Sequence, residues 1–458
     1  HPLSPVVARQ WAAAADFFAA AVRDLPELGG WAPVFAPDGR APRAGERWAA
    51  PGHARTLRSL VDRGLRDFYE GEVAAAIAAY ADQTGGRMTA ADLAAHHGEW
   101  VDPISVEYRG HRVWEIPPNG QGIAALLALG MLAGTDLDHR PQIDAGAWHL
   151  QIEAMKLAFA DSDANVGDMG VVDVPVDGLL DPNYLAERST LIGERAGPAP
   201  RGEPVRGGTV DLCAADADGM MVSFIQSNYM GFGSGVVLPS HGVSLQNRGA
   251  GFVLDDDHPN RAAPGKRPRH TIIPGFLTTT DGQPVGPFGV MGGEMQPQGH
   301  LQVVSAMIDH GSNPQAALDA PRWQVERDGR VRLEPQVLGE KLVAVPDRFP
   351  LEVVAEREVA QHLEERVVAG RLAHLFEIVV LAPRPDALLR RRRSAERDGL
   401  TTEKDSLELH HTGIGEQQGR IVGRHQRRTG TNRMVALREE VQEALADLGC
   451  LHAGFPLL

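Results

Sequence analysis

The spacing of hydrophobic positions is helical in the first part of the chain. Apolar residues recur every three or four positions in five segments, which predicts helices at residues 7–24, 53–65, 71–83, 122–132 and 147–160. Thr89-Ala-Ala-Asp92 matches a capping box and predicts a short helix at 91–96. Alternating residues at 104–108 and 111–116 predict two strands. The portion up to residue 208 is therefore expected to be mostly helical.

From residue 209 the hydrophobic pattern repeats every two residues, as in a β-strand. Residues 210–216 and 221–226 alternate, and Asp218-Gly219 between them predicts a β-hairpin. We expect the first of these strands, with Cys213, to be buried. The same reasoning predicts further strands and a helix, at 243–245, 270–273, 286–291 and 297–310. These segments form a second portion, residues 209–345, and residues 346–458 form an atypical segment that is helical or poorly ordered, with no role assigned.

Composition excludes several classes of function. The 458-residue chain is 43% hydrophobic and carries a formal charge of −15, which disfavours non-specific nucleic-acid binding. Its two cysteines lie far apart and match neither a disulfide framework nor a metal site, so neither metal nor cofactor is expected. No apolar run approaches the roughly 18–20 residues of a membrane span. The chain starts at His1, so we expect its natural N-terminus to be missing, which leaves a cytoplasmic or a periplasmic or secreted location open.

The Gly208–Thr209 bond joins a Gly-, Pro- and charge-rich run to the first strand of the second portion. A cut at this bond would give Thr209 a hydroxyl nucleophile and a free α-amine as its base, an arrangement used in covalent catalysis. An α-amine has an ordinary pKa of about 7.7–8, so a useful fraction is neutral near pH 7. The alternative is an ordinary loop-to-strand junction, which has the same local sequence.

Two other features fit the needs of such a nucleophile. Gly292-Gly293 separates a predicted strand from a predicted helix, where unpaired N–H groups can stabilise an oxyanion. Ser227 lies on the strand expected to pair with the one that Thr209 begins. The alternatives are a tight strand-to-helix turn for the glycines and an ordinary surface residue for Ser227.

Short motifs occur on both sides of Thr209. Before it stand Ala54–Leu57, Asp67–Glu72, Tyr108–Gly110, Pro117-Pro118 and Glu153–Asp161. After it stand Asp218-Gly219, Gly231–Gly235, Pro264–Pro268 and Gly292-Gly293. Together, from about residue 48 to 321, they resemble the gamma-glutamyltransferase family of N-terminal nucleophile hydrolases, and the run at 226–233 is similar to a bacterial branch of it.

The resemblance implies an α+β fold, an αββα sandwich of two antiparallel sheets flanked by helices. It implies a precursor that cuts itself before Thr209 into a large and a small fragment, which stay associated. Thr209 would then attack a γ-glutamyl amide, such as that of glutathione, and pass the acyl group to water or an amino acid. In this resemblance Gly292 and Gly293 are the oxyanion donors and Ser227 assists the nucleophile.

The residues expected to hold the substrate depart from the family pattern. Thr271 matches one of two serines that hold the substrate's α-carboxylate, and His270 replaces the other. Tyr229 replaces an asparagine, Arg248 a glutamine, and Gly251 the aspartate that holds the α-amine. Arg248 could instead bind a carboxylate, since a guanidinium suits bidentate contacts, or be a solvated surface residue.

These departures leave two alternatives to a γ-glutamyl enzyme: an amide acylase of the same fold with a non-glutamyl substrate, and a non-catalytic truncated homologue. The remaining polar clusters are expected to be solvated rather than ligands. They are His300, the pairs His96-His97 and His410-His411, the acidic run Asp255–Asp257 and the basic run Arg390–Arg393.

Overall fold

The computed structural model describes residues 2–197, 208–326 and 329–334. The atypical segment predicted at 346–458, with its basic run and histidine pair, lies outside the described residues. Within the described ranges, no helix has both the length and the apolarity to cross a membrane.

Helices dominate the chain before residue 208. The α-helices are α1 (Pro5–Ala21), α2 (Trp31–Phe35), α3 (Pro51–Arg63), α4 (Asp67–Glu70), α5 (Glu72–Gln83), α6 (Ala90–Ala94), α7 (Gly122–Leu132), α8 (Ala145–Asn165), α9 (Val176–Leu179), α10 (Pro182–Ser189), α11 (Met295–Ile308) and α12 (Pro314–Asp319). Short 3₁₀ turns occur at Pro26–Gly30, Leu137–His139 and Arg248–Gly251.

The strands lie mostly after residue 208. They are β1 (Ile104–Tyr108), β2 (His111–Glu115), β3 (Gly208–Ala215), β4 (Met221–Tyr229), β5 (Val237–Leu238), β6 (Val243–Ser244), β7 (Gly275–Thr279), β8 (Pro284–Phe288), β9 (Trp323–Val325) and β10 (Val331–Leu333). The resulting mixture of helices and antiparallel sheets is an α+β fold, as predicted.

One antiparallel sheet joins the two portions of the chain. Its strand order is β1-β2-β7-β8. The central pairing places Val113 of β2 opposite Leu277 of β7, and both side chains are buried. Because β2 precedes and β7 follows residue 208, a cut at Gly208–Thr209 would leave the two fragments hydrogen-bonded through one sheet.

Helices α7 and α8 pack together in the main core beside this sheet. Helix α7 is apolar on all sides, from Ile123 to Leu132, as expected for a helix with no solvent-facing stripe. Helix α8 starts with Asp144, whose carboxylate accepts from two backbone N–H groups of the first turn. It is longer than the predicted 147–160 and largely buried.

The β3–β4 hairpin forms as predicted, but its apolar face is exposed. Leu212 and Phe224 lie opposite each other across the hairpin and are 54% and 58% exposed. The Ser223 hydroxyl, on the other face, donates to the carbonyl of Phe288 in β8 at 3.1 Å. The prediction of a buried β3 was wrong, since the polar face contacts β8, and Cys213 is exposed as well.

Most of the remaining predicted elements overlap the observed ones, although β8 ends at Phe288 and covers only half of the strand predicted at 286–291. The capping box of Thr89 and Asp92 is present. The predicted strand at 270–273 is wrong, because only His270 of that run makes a bridge, to Gly120. The strand instead begins at Gly275. An extended backbone with buried side chains gives the same sequence pattern as a strand, whether or not it finds a partner.

Candidate active site

The candidate cleavage bond lies at the start of β3, directly after residues outside the described ranges. In the ladder with β4, Gly208 pairs with Tyr229 and Thr209 with Ser227, and the register shifts between them. Ser227 thus lies across from Thr209, as the sequence predicted. The Ser227 hydroxyl accepts from the backbone N–H of Tyr229 at 2.9 Å, which holds Ser227 in place beside the start of β3.

The chain after β8 runs toward that same end of β3. The carbonyl of Phe288 accepts a hydrogen bond from Ser223, and Ser223 pairs with Cys213 in the β3–β4 ladder. The next residue, Gly289, packs against Asp211, and a Cβ placed on Gly289 would lie only 2.4 Å from the Asp211 carboxylate carbon. Phe288 therefore lies at the level of Cys213 and Gly289 at the level of Asp211, so the chain after β8 runs toward Thr209.

Gly292 and Gly293, the predicted oxyanion donors, follow shortly after this approach. Their φ angles are 120° and 61°, a backbone region that favours glycine. Within the described residues their N–H groups donate to no acceptor. Helix α11 begins next, at Met295, so its N-terminal partial positive charge adds to the two free donors. The pair has the backbone and the electrostatics that an oxyanion needs.

Gln121 holds this turn in place, although the sequence did not identify it as a site residue. Its side chain is fully buried, and its Nε2 donates to the carbonyls of Gly293 at 2.8 Å and Thr271 at 2.7 Å. The carbonyl of Gly293 also accepts from the N–H of Gln296 at 3.1 Å. A signal was available: Gln121 is a polar residue directly before the wholly apolar helix α7.

Arg248 and Thr271, both predicted to contact substrate, lie together and are buried. The Arg248 Nη1 donates to the Thr271 hydroxyl at 2.9 Å, and its guanidinium carbon lies 5.2 Å from the centre of the Tyr229 ring. Burial lowers the pKa of Arg248 to about 10, against an opposing contribution from Tyr229. The guanidinium therefore stays charged at neutral pH, and the alternative of a solvated surface arginine is excluded.

His270 lies next to Thr271 and is held by its backbone. Its N–H donates to the carbonyl of Asn119 at 2.9 Å, and its carbonyl accepts from the N–H of Gln121. Burial, followed by the charge of Arg248, lowers the pKa of His270 to about 3. His270 is thus neutral at physiological pH and adds no second cation beside Arg248.

A second set of ionisable groups combines Asp211 of β3 with the fully buried Glu115 and His300. His300 was expected to be solvated, which is wrong: it is fully buried, and its Nδ1 lies 2.5 Å from Glu115 Oε1. Burial raises the pKa of Glu115, and the charge of His300 opposes this shift. Burial also raises the pKa of Asp211, again opposed by His300. The pattern on α11 did not reveal this, because the partners come from β2 and β3.

The other polar clusters contribute nothing to the site. Asp255–Asp257 and the pair His96-His97 are exposed. No group of three His, Cys, Asp or Glu side chains arranged to hold a metal ion occurs in the described ranges. A cleft of about 400 Å³ lies between Trp48 and Gly242, and none of the predicted site residues lines it.

The α+β fold, with its helical first portion and the strands that follow Gly208, is that of the N-terminal nucleophile hydrolases. The sequence profile of the gamma-glutamyltranspeptidase family matches residues 1–356. The chain belongs to this family, as its motifs predicted. Its relatives are named as hydrolases and acylases, many of them proenzymes.

Individual relatives differ in the activity that their names state. The glutathione hydrolase-like YwrD proenzyme of Bacillus subtilis is 40% identical, over 64% of this chain and 55% of its own length. The oxamate amidohydrolase proenzyme of Klebsiella pneumoniae is 37% identical, over 70% of this chain and 60% of its own. The chain thus spans little more than half the length of these two relatives.

Among solved structures, the cephalosporin acylase of Bacillus halodurans superposes with a TM-score of 0.71. It is 49% identical, over 78% of this chain and 65% of that protein. The family is therefore shared by proteins whose names specify different acyl groups.

Proposed function

We propose that this chain is an autoprocessing N-terminal threonine amidohydrolase. The observation that supports the proposal is the approach of two segments, β4 and the chain after β8, to the first half of β3. Thr209 pairs with Ser227 in the ladder. The chain after β8 passes Asp211 at Gly289 and continues to Gly292-Gly293, whose N–H groups have no acceptor among the described residues. A nucleophile, a neighbouring hydroxyl and oxyanion donors are the parts that acyl transfer requires.

Maturation is the first of two stages. The Thr209 hydroxyl attacks the carbonyl carbon of Gly208, the Gly208–Thr209 C–N bond breaks, and the hydroxyl proton passes to the departing nitrogen. The product is an ester between Gly208 and the Thr209 oxygen. Water hydrolyses this ester to a Gly208 carboxylate and a free Thr209 hydroxyl and amine. The fragments stay associated, because β2 and β7 belong to one sheet.

Amide hydrolysis is the second stage. The Thr209 amine takes the hydroxyl proton as the oxygen attacks the substrate carbonyl, and the N–H groups of Gly292 and Gly293 stabilise the oxyanion. Each such donor contributes about 2.7–4 kcal/mol in comparable sites. The proton goes to the leaving amine, and water or an amino acid then takes the acyl group from the Thr209 ester.

Two acyl groups remain as candidates. A γ-glutamyl group is favoured by relatives named glutathione hydrolases. A non-glutamyl group is favoured by the site itself, because Gly251 has no side chain to hold an α-amine and the cation Arg248 lies buried nearby. The site therefore supports the acylase alternative better, and the names of the oxamate amidohydrolase and the cephalosporin acylase agree with it.

Intact mass of the purified chain tests the proposal directly. We expect the wild type to separate into two fragments at Gly208–Thr209, and Thr209→Ala to stay whole. Thr280→Ala, at an exposed threonine, is the matched control and should split normally. A wild type that stays whole and hydrolyses no anilide would establish the non-catalytic alternative. Cleavage of Thr209→Ala at the same bond would also refute the mechanism.

A further inference from the structure

We propose that Arg248 is the binding site for a carboxylate on the acyl group, so that the substrates are amides of dicarboxylic acids without an α-ammonium group. This inference rests on the amidohydrolase function proposed for Thr209. It adds the chemical class of the acyl group, which the function alone leaves open.

Arg248 is a buried cation that pairs with no anion among the described residues. It is 6% exposed, and its Nη2 is buried without a hydrogen-bond partner. No carboxylate in the described parts of the chain pairs with it, and the Thr271 hydroxyl is its side-chain partner. An arginine presents a planar fork of donors that matches a carboxylate in two parallel hydrogen bonds. One arm of that fork is unused here.

A second buried arginine, Arg269, serves as a comparison because its guanidinium is paired with carboxylates of the fold. Arg269 is 8% exposed, and it pairs with Asp163 and, at 3.2 Å, with Glu294. Both arginines are shielded from water, but among the described residues carboxylates compensate only the charge of Arg269. An uncompensated buried charge strongly destabilises a protein. Its retention at Arg248 indicates that a ligand supplies the missing anion.

The position of Arg248 links the missing anion to the reacting carbonyl. Its guanidinium stacks on the ring of Tyr229, and Tyr229 is opposite Gly208 in the strand ladder. On its other side, Arg248 holds Thr271, whose carbonyl shares the Gln121 amide with Gly293. Thr271 and Gln121 therefore link Arg248 to the Gly292-Gly293 turn, and the proposal requires an acyl group that reaches from one to the other.

The surroundings of Arg248 disfavour an ammonium group on the same acyl chain. His270 is neutral, and Gly251 has no side chain, so neither offers a negative partner. An ammonium placed beside the carboxylate would also face the guanidinium, and like charges in a buried site repel strongly. The arrangement therefore selects for the carboxylate and against the amino acid.

Three anilides that differ by one group measure this selection. Glutaryl-p-nitroanilide carries the carboxylate, pentanoyl-p-nitroanilide replaces the carboxyl group by a methyl group, and γ-glutamyl-p-nitroanilide adds the ammonium. For the wild type, we expect kcat/KM for the glutaryl compound to exceed each of the others by at least about tenfold, the discrimination typical of a charged hydrogen bond. Arg248→Gln should bring the glutaryl-to-pentanoyl ratio close to one.

Controls separate this inference from the function on which it rests. Arg261→Gln removes a charge at an arginine 40% exposed in its side chain and should keep the wild-type ratio. If Arg248→Gln fails to fold, Thr271→Val and inhibition of the wild type by glutarate, compared with pentanoate, give the same information. A wild type that cleaves the pentanoyl or γ-glutamyl anilide as well as the glutaryl one overturns the carboxylate site alone. A wild type that neither processes itself nor cleaves any anilide overturns the amidohydrolase function.

Discussion

Gln121 offers the sharpest test of how the turn at Gly292-Gly293 is held. Its fully buried amide donates to the carbonyls of Thr271 at 2.7 Å and Gly293 at 2.8 Å. Gln121→Glu keeps the shape of the side chain but places a carboxylate oxygen against two carbonyl oxygens. Gln121→Leu removes the donor without adding a charge. The two variants therefore separate loss of the hydrogen bonds from active repulsion.

The expected loss of stability depends on which of the two carbonyls has no other hydrogen-bond donor. Gly293 keeps the N–H of Gln296 at 3.1 Å, whereas within the described residues the carbonyl of Thr271 accepts only from Gln121. A buried acceptor left without a donor costs about 1–3 kcal/mol. We expect Gln121→Leu to lose that much stability, and Gln121→Glu to lose more. The same range, if felt in the transition state, lowers kcat roughly 5- to 150-fold.

The assay is steady-state hydrolysis of the preferred anilide together with thermal unfolding. Because Gly292-Gly293 acts on the developing oxyanion in the proposed mechanism, kcat should fall more than KM rises. Gln83→Leu and Gln83→Glu, at an exposed glutamine, are the matched controls and should match the wild type in both measurements. A Gln121→Glu variant with wild-type kcat and melting temperature would refute the inference that this amide holds the turn.

Two further predictions concern stability. Lys156→Met should lower the free energy of unfolding by roughly 3–5 kcal/mol, because it leaves the buried carboxylate of Glu153 without its cation. In the wild type the Lys156 Nζ lies 2.7 Å from that carboxylate and also donates to the carbonyl of Gly197. Denaturant unfolding of the uncut Thr209→Ala form measures this, and a loss below about 1 kcal/mol, or no recovery in Glu153→Leu/Lys156→Met, would contradict it. His270→Gln should change the pH dependence. The pKa of His270 is lowered from 6.5 to about 3, so its contribution is present above pH 6.5 and is lost as the pH falls toward 3, by roughly 1–2 kcal/mol at pH 5. The variant should lose less stability than the wild type between pH 7.5 and 5, and parallel curves would count against a buried neutral imidazole.

Local patterns predicted most of the elements correctly. The bounds of α7 agree with the prediction, since a Gly-containing break precedes an uninterrupted apolar run. The β3–β4 hairpin follows from Asp218-Gly219, where Gly219 has a φ of 88°. The family was likewise predicted from short motifs. The roles of Thr209, Ser227, Gly292 and Gly293, and the portion boundaries at 208 and 345, stay predictions.

Contacts between distant residues could not be read from the same patterns. The alternation predicted for β3 was correct. Which face of the hairpin is covered depends on β8, where Phe288 follows its partner Ser223 by 65 positions. The burial of His300 depends on Glu115 of β2 and on Asp211. Gln121 gave only a weak signal, because its two acceptors come from segments that follow it by 150 and 172 positions.

The Gly208–Thr209 bond and Arg248 show the difference most clearly. A nucleophile that needs a hydroxyl and its own amine is defined by covalent neighbours, so the sequence could propose Thr209, and the motifs around it favoured this over an ordinary junction. Arg248 could be a solvated side chain or a ligand for a carboxylate, and its sequence is the same in both cases. Its burial against Tyr229 and Thr271, and the absence of a carboxylate beside it among the described residues, distinguish the two. Burial and charge compensation depend on the groups that surround a side chain in space, and those groups are brought together only when the chain folds.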